Sequence, residues 1–428
     1  MRADLAEPLE RAKEATSTAS RAAEIKERCR QLAQITDIPG QTTRSFLSPA
    51  MRRCMGTVQS WMEAAQMSIT IDAAGNLRGL YPGSRPDALR LVVGSHLDTV
   101  PNAGAFDGVL GVLLGLALVE SLEGQRLSFA IELIAFSEEE GVRFGVPFIG
   151  SRAVTGQIDR ELLSTQDAEG ISVRQAMLDF GLDPERLPEA TLDRAAAAYL
   201  EFHIEQGPAL ESEDRSLGVV DCIAGQTRGE VIFTGASNHA GTTPMRLRRD
   251  ALAAAAEWIA AVERLARNEE GLVATVGRIE VHPGAENVIA GEAQASLDVR
   301  HADDAMRRSA VERLIAATES IARARSLEAR WCLQMDQVAV AMDAQLSQMA
   351  VDAIRGIGLQ PLRMMSGAGH DAMIIASRLP SAMIFLRSPG GISHHPDESV
   401  RIEDVANALN AGLGFLRGFH KVIIGAHA

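Results

Sequence analysis

The sequence predicts an α/β protein of two domains, in which a small domain of order β-α-β-β-α-β is inserted into a larger one. Three observations lead there. A strand-helix-strand succession runs through residues 90–136, the signature of an α/β layer. A second succession of strands and helices, with a rhythm of its own, fills residues 226–337. The length, 428 residues, suits two or three domains.

The elements follow in order. Residues 1–35 are rich in Ala, Glu and Arg and predict a helix. Residues 68–80 and 90–95 read as strands, with Tyr81-Pro82-Gly83 turning the chain between them. Leu91-Val92-Val93 is a continuous apolar run, as in a buried parallel strand. Residues 109–122 are apolar nearly all round and predict a buried helix, and 128–136 predict another strand. The inserted domain reads as strand 229–235, helix 249–268, strands 272–281 and 292–299, helix 303–324 and strand 327–334, the split βαβ arrangement. Residues 341–357 (helix), 381–387 (strand) and 402–418 (helix) resume the larger domain. The expected division is therefore 1–225 with 338–428, and 226–337. Trp258 and Trp331 fall in regular elements and are expected in the core, and Cys222 is expected to be a buried thiol.

Composition removes several classes of function. Lys and Arg number 42 against 56 Asp and Glu, a formal charge of −14, which disfavours nucleic-acid binding. The four cysteines (Cys29, Cys54, Cys222, Cys332) show no CxxC spacing. That excludes a disulfide scaffold and a Cys-based zinc module, and suits a reducing cytoplasm. No apolar run reaches about 18 residues without a charge, so no membrane span is expected. The opening Met-Arg-Ala-Asp-Leu-Ala-Glu lacks an apolar signal core, so a cytoplasmic location is expected.

The chemistry gathers after strand-like runs, where open α/β sheets place their sites. Gly94-Ser95-His96-Leu97-Asp98 is followed by Phe106-Asp107-Gly108 just before a helix. A His-x-Asp alone could be a capped turn, but an Asp-Gly nine residues later favours a metal site. Ser137-Glu138-Glu139-Glu140-Gly141 ends an apolar strand. It is either a solvated acidic turn or a carboxylate row neutralised by a cation. His203-Ile204-Glu205-Gln206 and Ser393-His394-His395-Pro396-Asp397-Glu398 complete the set. Imidazoles and carboxylates on separate loops suit two divalent ions, Zn²⁺ or Mn²⁺, with Co²⁺ or Ni²⁺ also acceptable.

These motifs together resemble the M20 metallopeptidase clan, in its amidase/hydantoinase/carbamoylase branch. The likeness covers nearly the whole chain: GSHLDT (94–99), FDGVLG (106–111), SEEEGVRFG (137–145), HIEQGP (203–208), NHAGTTPMRLRRD (238–250), SGAGHDAM (366–373) and GGISHHPDE (390–398), in order. Within the branch, residues 224–228 and 365–373 are similar to plant-type allantoate amidohydrolases.

The resemblance implies a mixed-sheet di-metal catalytic domain and an inserted lid and dimerisation domain. It implies that His96, Asp107 and His203 bind one ion, and Asp107, Glu140 and His394 the other, with Asp107 bridging. Glu139 would be general base and acid, Asp98 would orient His96, and Glu138 and His395 would have no catalytic part. His239 would polarise the scissile carbonyl, often from the partner subunit, although it could simply cap its own turn. Gln206, Asn287, Arg300, Gly369 and His370 match substrate-binding positions, with Arg300 gripping a carboxylate. The implied reaction is hydrolysis of the ureido C–N bond of allantoate by a metal-bridged water, giving ureidoglycine, ammonia and carbon dioxide. An N-carbamoyl-L-amino acid or β-ureidopropionate is the alternative substrate. The implied assembly is a homodimer whose lid hinges near residues 223–227 and 335–340.

Overall fold

The computed structural model describes the backbone of residues 6–425 and the side chains of 18–422. The chain begins with helices α1 (Ala6–Ala33) and α2 (Pro49–Ala64), then strands β1 (Ser68–Ile71), β2 (Leu77–Tyr81) and β3 (Arg90–His96). Helix α3 (Val109–Glu120) and β4 (Ala130–Phe136) follow, then short helices α4 (Ile149–Thr155), α5 (Arg160–Ser164), α6 (Val173–Asp179) and α7 (Leu187–Ala190). Next come β5 (Ala196–Ile204), α8 (Ala209–Ser212), β6 (Leu217–Ile223), β7 (Gly225–Thr234) and α9 (Ala251–Asn268). They lead to β8 (Val273–Thr275), β9 (Ile279–His282), β10 (Glu292–His301), α10 (Asp304–Ala324), β11 (Glu328–Gln337) and β12 (Val340–Ala341). The chain closes with α11 (Ala344–Gly356), β13 (Leu362–Ser366), α12 (Asp371–Ile375), β14 (Ser381–Leu386) and α13 (Ile402–Gly425).

Two compact units result. The first takes in the chain up to Asp221, Met342–Met364 and the chain from Gly369; the second is Cys222–Ala341 with Met365–Ala368. The first holds a mixed sheet in the order β1-β2-β4-β3-β5-β14-β6, with β13 also on β6. β3 runs parallel to β4 and β5, and β14 parallel to β5. β1, β2 and β6 join antiparallel. The four parallel strands are buried almost throughout, which is why their sequences are mostly apolar, with Glu132 of β4 and Glu201 and His203 of β5 among the buried exceptions. Helix α3 is buried from Val109 to Val119, so it has no polar face to show. Four parallel strands end at one edge, and the loops that follow them meet there.

Arg44 ties the start of the chain to this edge. Its fully buried guanidinium donates from Nε to Leu97 O at 2.9 Å, and from Nη1 to Leu32 O at 2.8 Å and Ile35 O at 3.0 Å. The end of α1 and the segment leaving β3 are thereby held by one side chain.

The second unit is an antiparallel sheet, β11-β7-β10-β8, with β9 also on β10. Its core packs Trp258, Val262 and Leu265 of α9 and Leu314 of α10 against Val231, Phe233, Leu297 and Val299. Along β10, Ala293, Ala295, Leu297 and Val299 are buried, while Gln294, Ser296, Asp298 and Arg300 alternate with them, the period-two pattern of a one-sided sheet.

Several expectations need correction. Residues 68–80 are not one strand but the hairpin β1–β2. Asp72 Oδ1 accepts the Ala74 and Asn76 amides, a turn built by an aspartate that strand propensity overlooks. Residues 272–281 break into β8 and β9, where Ser296 Oγ accepts the Arg278 amide. Helix α2 was not foreseen, although Ser48 accepts Met51 N–H and Pro49 stands in the first turn. Trp258 is buried and Trp331 only partly, and Cys222 is half-buried rather than buried. The opening five residues, including their reading as helix and as leader-free, lie outside the described residues.

Candidate active site

Local structure explains how the histidines and acids meet. His96 is the last residue of β3, and Phe136 lies opposite it on β4, so Glu138–Glu140 leave the sheet beside His96. His203 stands near the end of β5, opposite Phe385 of β14, whose following loop carries His394. Asp107 precedes α3 through Gly108. Gly108 adopts φ +66°, and a Cβ there would lie 2.4 Å from His96 Nε2, so glycine alone lets the turn pass the imidazole.

Three groups of donor atoms lie within 4.8 Å of one another and could each hold a metal ion: His96/Asp107/His203, Asp107/Glu140/His394 and His96/Glu139/Glu140. Each of the two buried imidazoles points Nδ1 at a backbone carbonyl, His96 at Asp98 O (3.0 Å) and His203 at Ile204 O (2.9 Å). A carbonyl only accepts, so Nδ1 carries the proton and Nε2 turns inward. The two Nε2 atoms are 3.4 Å apart, and they lie 3.7 and 3.1 Å from Asp107 Oδ1. Asp107 Oδ1 is buried and accepts no hydrogen bond. Tetrahedral Zn²⁺ bonds of about 2.0–2.1 Å place donors roughly 3.4 Å apart, so the set fits such an ion. On the other side of Asp107, Oδ2 lies 3.2 Å from His394 Nε2, which is 3.6 Å from Glu140 Oε1.

The charges point the same way. Burial, then the nearby charge of Asp107, pushes Glu140 up to about 7. Burial lifts Glu139 well above the carboxylate range, and Glu140 adds to this against the pull of His96. The hydrogen bond that His394 donates to the Asp107 carboxylate raises the imidazole to about 9. Burial opposes charge on His96, but Asp107 and Asp98 outweigh it and lift the imidazole well above its usual value. Glu139 and Glu140 are pushed toward the neutral form, while Asp107 stays ionised by the imidazoles around it, so the carboxylates of the pocket compete for positive charge. A divalent cation supplies that charge and inverts these shifts.

Surrounding carboxylates hold the frame. Asp98 accepts the Glu139 amide at 3.0 and 3.1 Å and the Glu140 amide at 3.0 Å, so it fixes the acidic loop besides lying 3.3 Å from His96 Nδ1. Glu138 is buried and accepts Gly141 N–H at 2.6 Å, closing that loop. Sequence reasoning gave Glu398 no role. Its Oε1 accepts the Phe106 and Asp107 amides at 2.9 and 3.0 Å, fixing the backbone of Asp107. Its place four residues after His394 was the only signal, and nothing local linked it to residue 107. Glu205 accepts the Ala209 and Leu210 amides and so caps α8.

The remaining predicted residues fall as follows. Gln206, at φ +60°, donates from Nε2 to Asp107 Oδ2 at 2.9 Å and lies 3.2 Å from His394 Nε2. His370 is buried edge-on against the ring of His203, with centroids 4.4 Å apart. Gly369 is exposed just before it, and a Cβ there would meet Phe148 at 2.8 Å. In the second unit, His239 and Asn287 are exposed neighbours: His239 bridges Val288, and Ala240 N–H donates to Asn287 O. His239 Nδ1 accepts Gly241 N–H at 3.0 Å, so the ring does cap its turn, and its Nε2 carries the proton. Arg300 is anchored within the second unit. Nε and Nη2 both contact Asp298 at 2.9 Å, and Nη1 reaches Gly367 O at 2.5 Å.

A mixed α/β sheet whose parallel strand ends gather histidines and carboxylates able to hold a metal ion is the frame of a hydrolase. The chain belongs to peptidase family M20/M25/M40, whose model matches residues 92–417. It is 40% identical to the N-carbamoyl-L-amino acid amidohydrolase of Geobacillus stearothermophilus, over 89% of this chain and 94% of that one. It is 37% identical to allantoate deiminase 2 of Glycine max, over 90% and 87%. The crystal structure of an amidase of the hydantoinase/carbamoylase family from Burkholderia multivorans is similar at TM-score 0.86 and 32% identity, over 92% of this chain and 97% of that one. The protein is thus a hydrolase of the amidohydrolase kind within that family.

Proposed function

We infer that the chain hydrolyses the terminal ureido C–N bond of allantoate, giving ureidoglycine, ammonia and carbon dioxide. The convergence of two Nε2 atoms and Asp107 beside a buried Glu139 supports metal-assisted hydrolysis, and the 37% identity to allantoate deiminase 2 supports the choice of substrate. His96, Asp107 and His203 would hold one divalent ion and Asp107, Glu140 and His394 a second; Zn²⁺ or Mn²⁺ would suit these donors, and Co²⁺ or Ni²⁺ would be acceptable. When bound, such ions supply Lewis acidity and lower the pKa of water.

The chain's own groups do the rest. Glu139 takes the proton of the attacking water and returns it to the leaving nitrogen. Asp98 keeps Glu139 in place through its amide. His239 offers its Nε2 proton to the developing oxyanion, a contribution of about 3–4 kcal/mol. Gln206 and Asn287 supply donors and acceptors for the ureido group, Arg300 and the Gly369 amide meet the substrate carboxylate, and His370 supports the site. A resemblance-based homodimer is part of the same reading.

N-carbamoyl-L-amino acid hydrolysis is the second reading, favoured by the 40% identity to the Geobacillus enzyme. Ammonia release from cation-loaded protein, given allantoate, N-carbamoyl-L-amino acids and ureidopropionate with a chelator control, decides between them. Chelator-sensitive release from allantoate alone supports the first reading. A preference for a carbamoyl-amino acid supports the second, and silence on all three defeats both.

A further inference from the structure

The polar face of the second unit's sheet holds an arrangement whose meaning depends on the ureido-acid reading above. In the β7–β10 ladder Arg228 stands directly opposite Asp298, and Gln226 opposite Arg300. Leu297 and Val299, which alternate with Asp298 and Arg300, are buried in the unit's core, so the four polar side chains share the other face. Asp298 is their hub. It accepts Gln226 Nε2 at 2.6 Å and Arg228 Nε at 2.9 Å, besides the two contacts from Arg300. Burial works against its charge, but Arg300 and Arg228 hold the carboxyl below its ordinary range.

One carboxylate thus serves two guanidiniums, and one positive charge is left over. The two arginines are not equally occupied. Arg300 uses Nε, Nη1 and Nη2 on Asp298 and Gly367. Arg228 is anchored through Nε alone, its side chain is half-exposed, and its two Nη groups donate to nothing among the described residues. Both arginines border a hollow of about 530 Å³, which Thr275, Ser296 and Gln334 also line.

We propose that Arg228 is a second carboxylate-recognising residue for the ureido acid, and that Asp298 is the positioning residue holding Arg228 and Arg300 side by side. The unengaged Nη pair of Arg228 offers the planar fork that a carboxylate accepts in bidentate fashion. Anchoring Nε to Asp298 removes rotamer freedom before the ligand arrives, so less entropy is lost on binding. Asp298 does not touch the substrate. The cradle favours ureido acids over uncharged ureas of the same shape.

The test is steady-state kinetics on the cation-loaded full chain, with an N-carbamoyl-L-amino acid or allantoate compared with its carboxamide. Arg228→Gln is expected to raise KM for the acid about tenfold relative to the amide, with kcat moving much less. Arg228→Lys, which keeps the charge and loses the fork, should fall between. Asp298→Asn should show the same acid-selective rise, which a merely structural defect would not produce. Arg325→Gln, on an exposed arginine paired with Glu257, serves as the control and should show no selectivity. Equal effects on acid and amide in Arg228→Gln and Arg228→Lys, with the wild type active, overturn the cradle alone. Wild-type silence on every ureido acid overturns the ureido reading and the cradle with it.

Discussion

Glu139 is buried within reach of His96 and Glu140, and its amide is fixed by Asp98. Glu139→Gln keeps shape and removes the proton carrier, so cation content should stay and kcat should fall about 10²–10⁴-fold. Turnover within tenfold of wild type would remove Glu139 from its role. The adjacent histidines offer a sharper contrast. His394 Nε2 approaches both Asp107 and Glu140, whereas His395 accepts the Asp397 amide on an exposed loop. His394→Ala should lower bound cation, measured by elemental analysis, and His395→Ala should not; equal losses would contradict the assignment. At this scale the donor residues that meet were legible because they lie at strand ends or in the loops after them, each in a short motif. Glu398 was not, because its partners at 106 and 107 are almost three hundred positions away in sequence.

Among elements, buried strands and the all-apolar α3 announced themselves through composition, since burial on every side favours apolar residues at most positions. The β1–β2 hairpin did not, although its reversal carries Gly75 at φ +82° beside the Asp72 carboxylate that accepts two amides. Helix α3 also sets the approach of Asp107 to His96 through Gly108. Gly108→Ala would meet left-handed strain and the imidazole together, at a cost of about 1–3 kcal/mol. Bound cation and the thermal midpoint should both fall; full occupancy would show that the turn relaxes without disturbing His96.

For the whole molecule, the −14 charge and the cluster of buried acids set the terms. Among the described residues no helix is long and apolar enough to cross a membrane. Cations that bind only the folded chain stabilise it by mass action, about 2.7 kcal/mol at a hundredfold excess over Kd. Chelation should therefore lower the melting midpoint, and the midpoint should climb with free Zn²⁺ or Mn²⁺. A midpoint indifferent to both would argue that the cluster binds neither.

Arg44 has a practical consequence for anyone trimming this protein. The family match starts only at residue 92, which invites a shorter version beginning near there or at the first loop. Yet the guanidinium finds its acceptors at Leu32 and Ile35 on one side and at Leu97, next to His96, on the other. A chain started at residue 40 would take the Leu32 and Ile35 carbonyls from a guanidinium that also holds Leu97, with a loss of about 1–3 kcal/mol or more. Such a truncation should retain cation more weakly than the full chain, measured by elemental analysis of both; equal retention would show that Arg44 finds other acceptors.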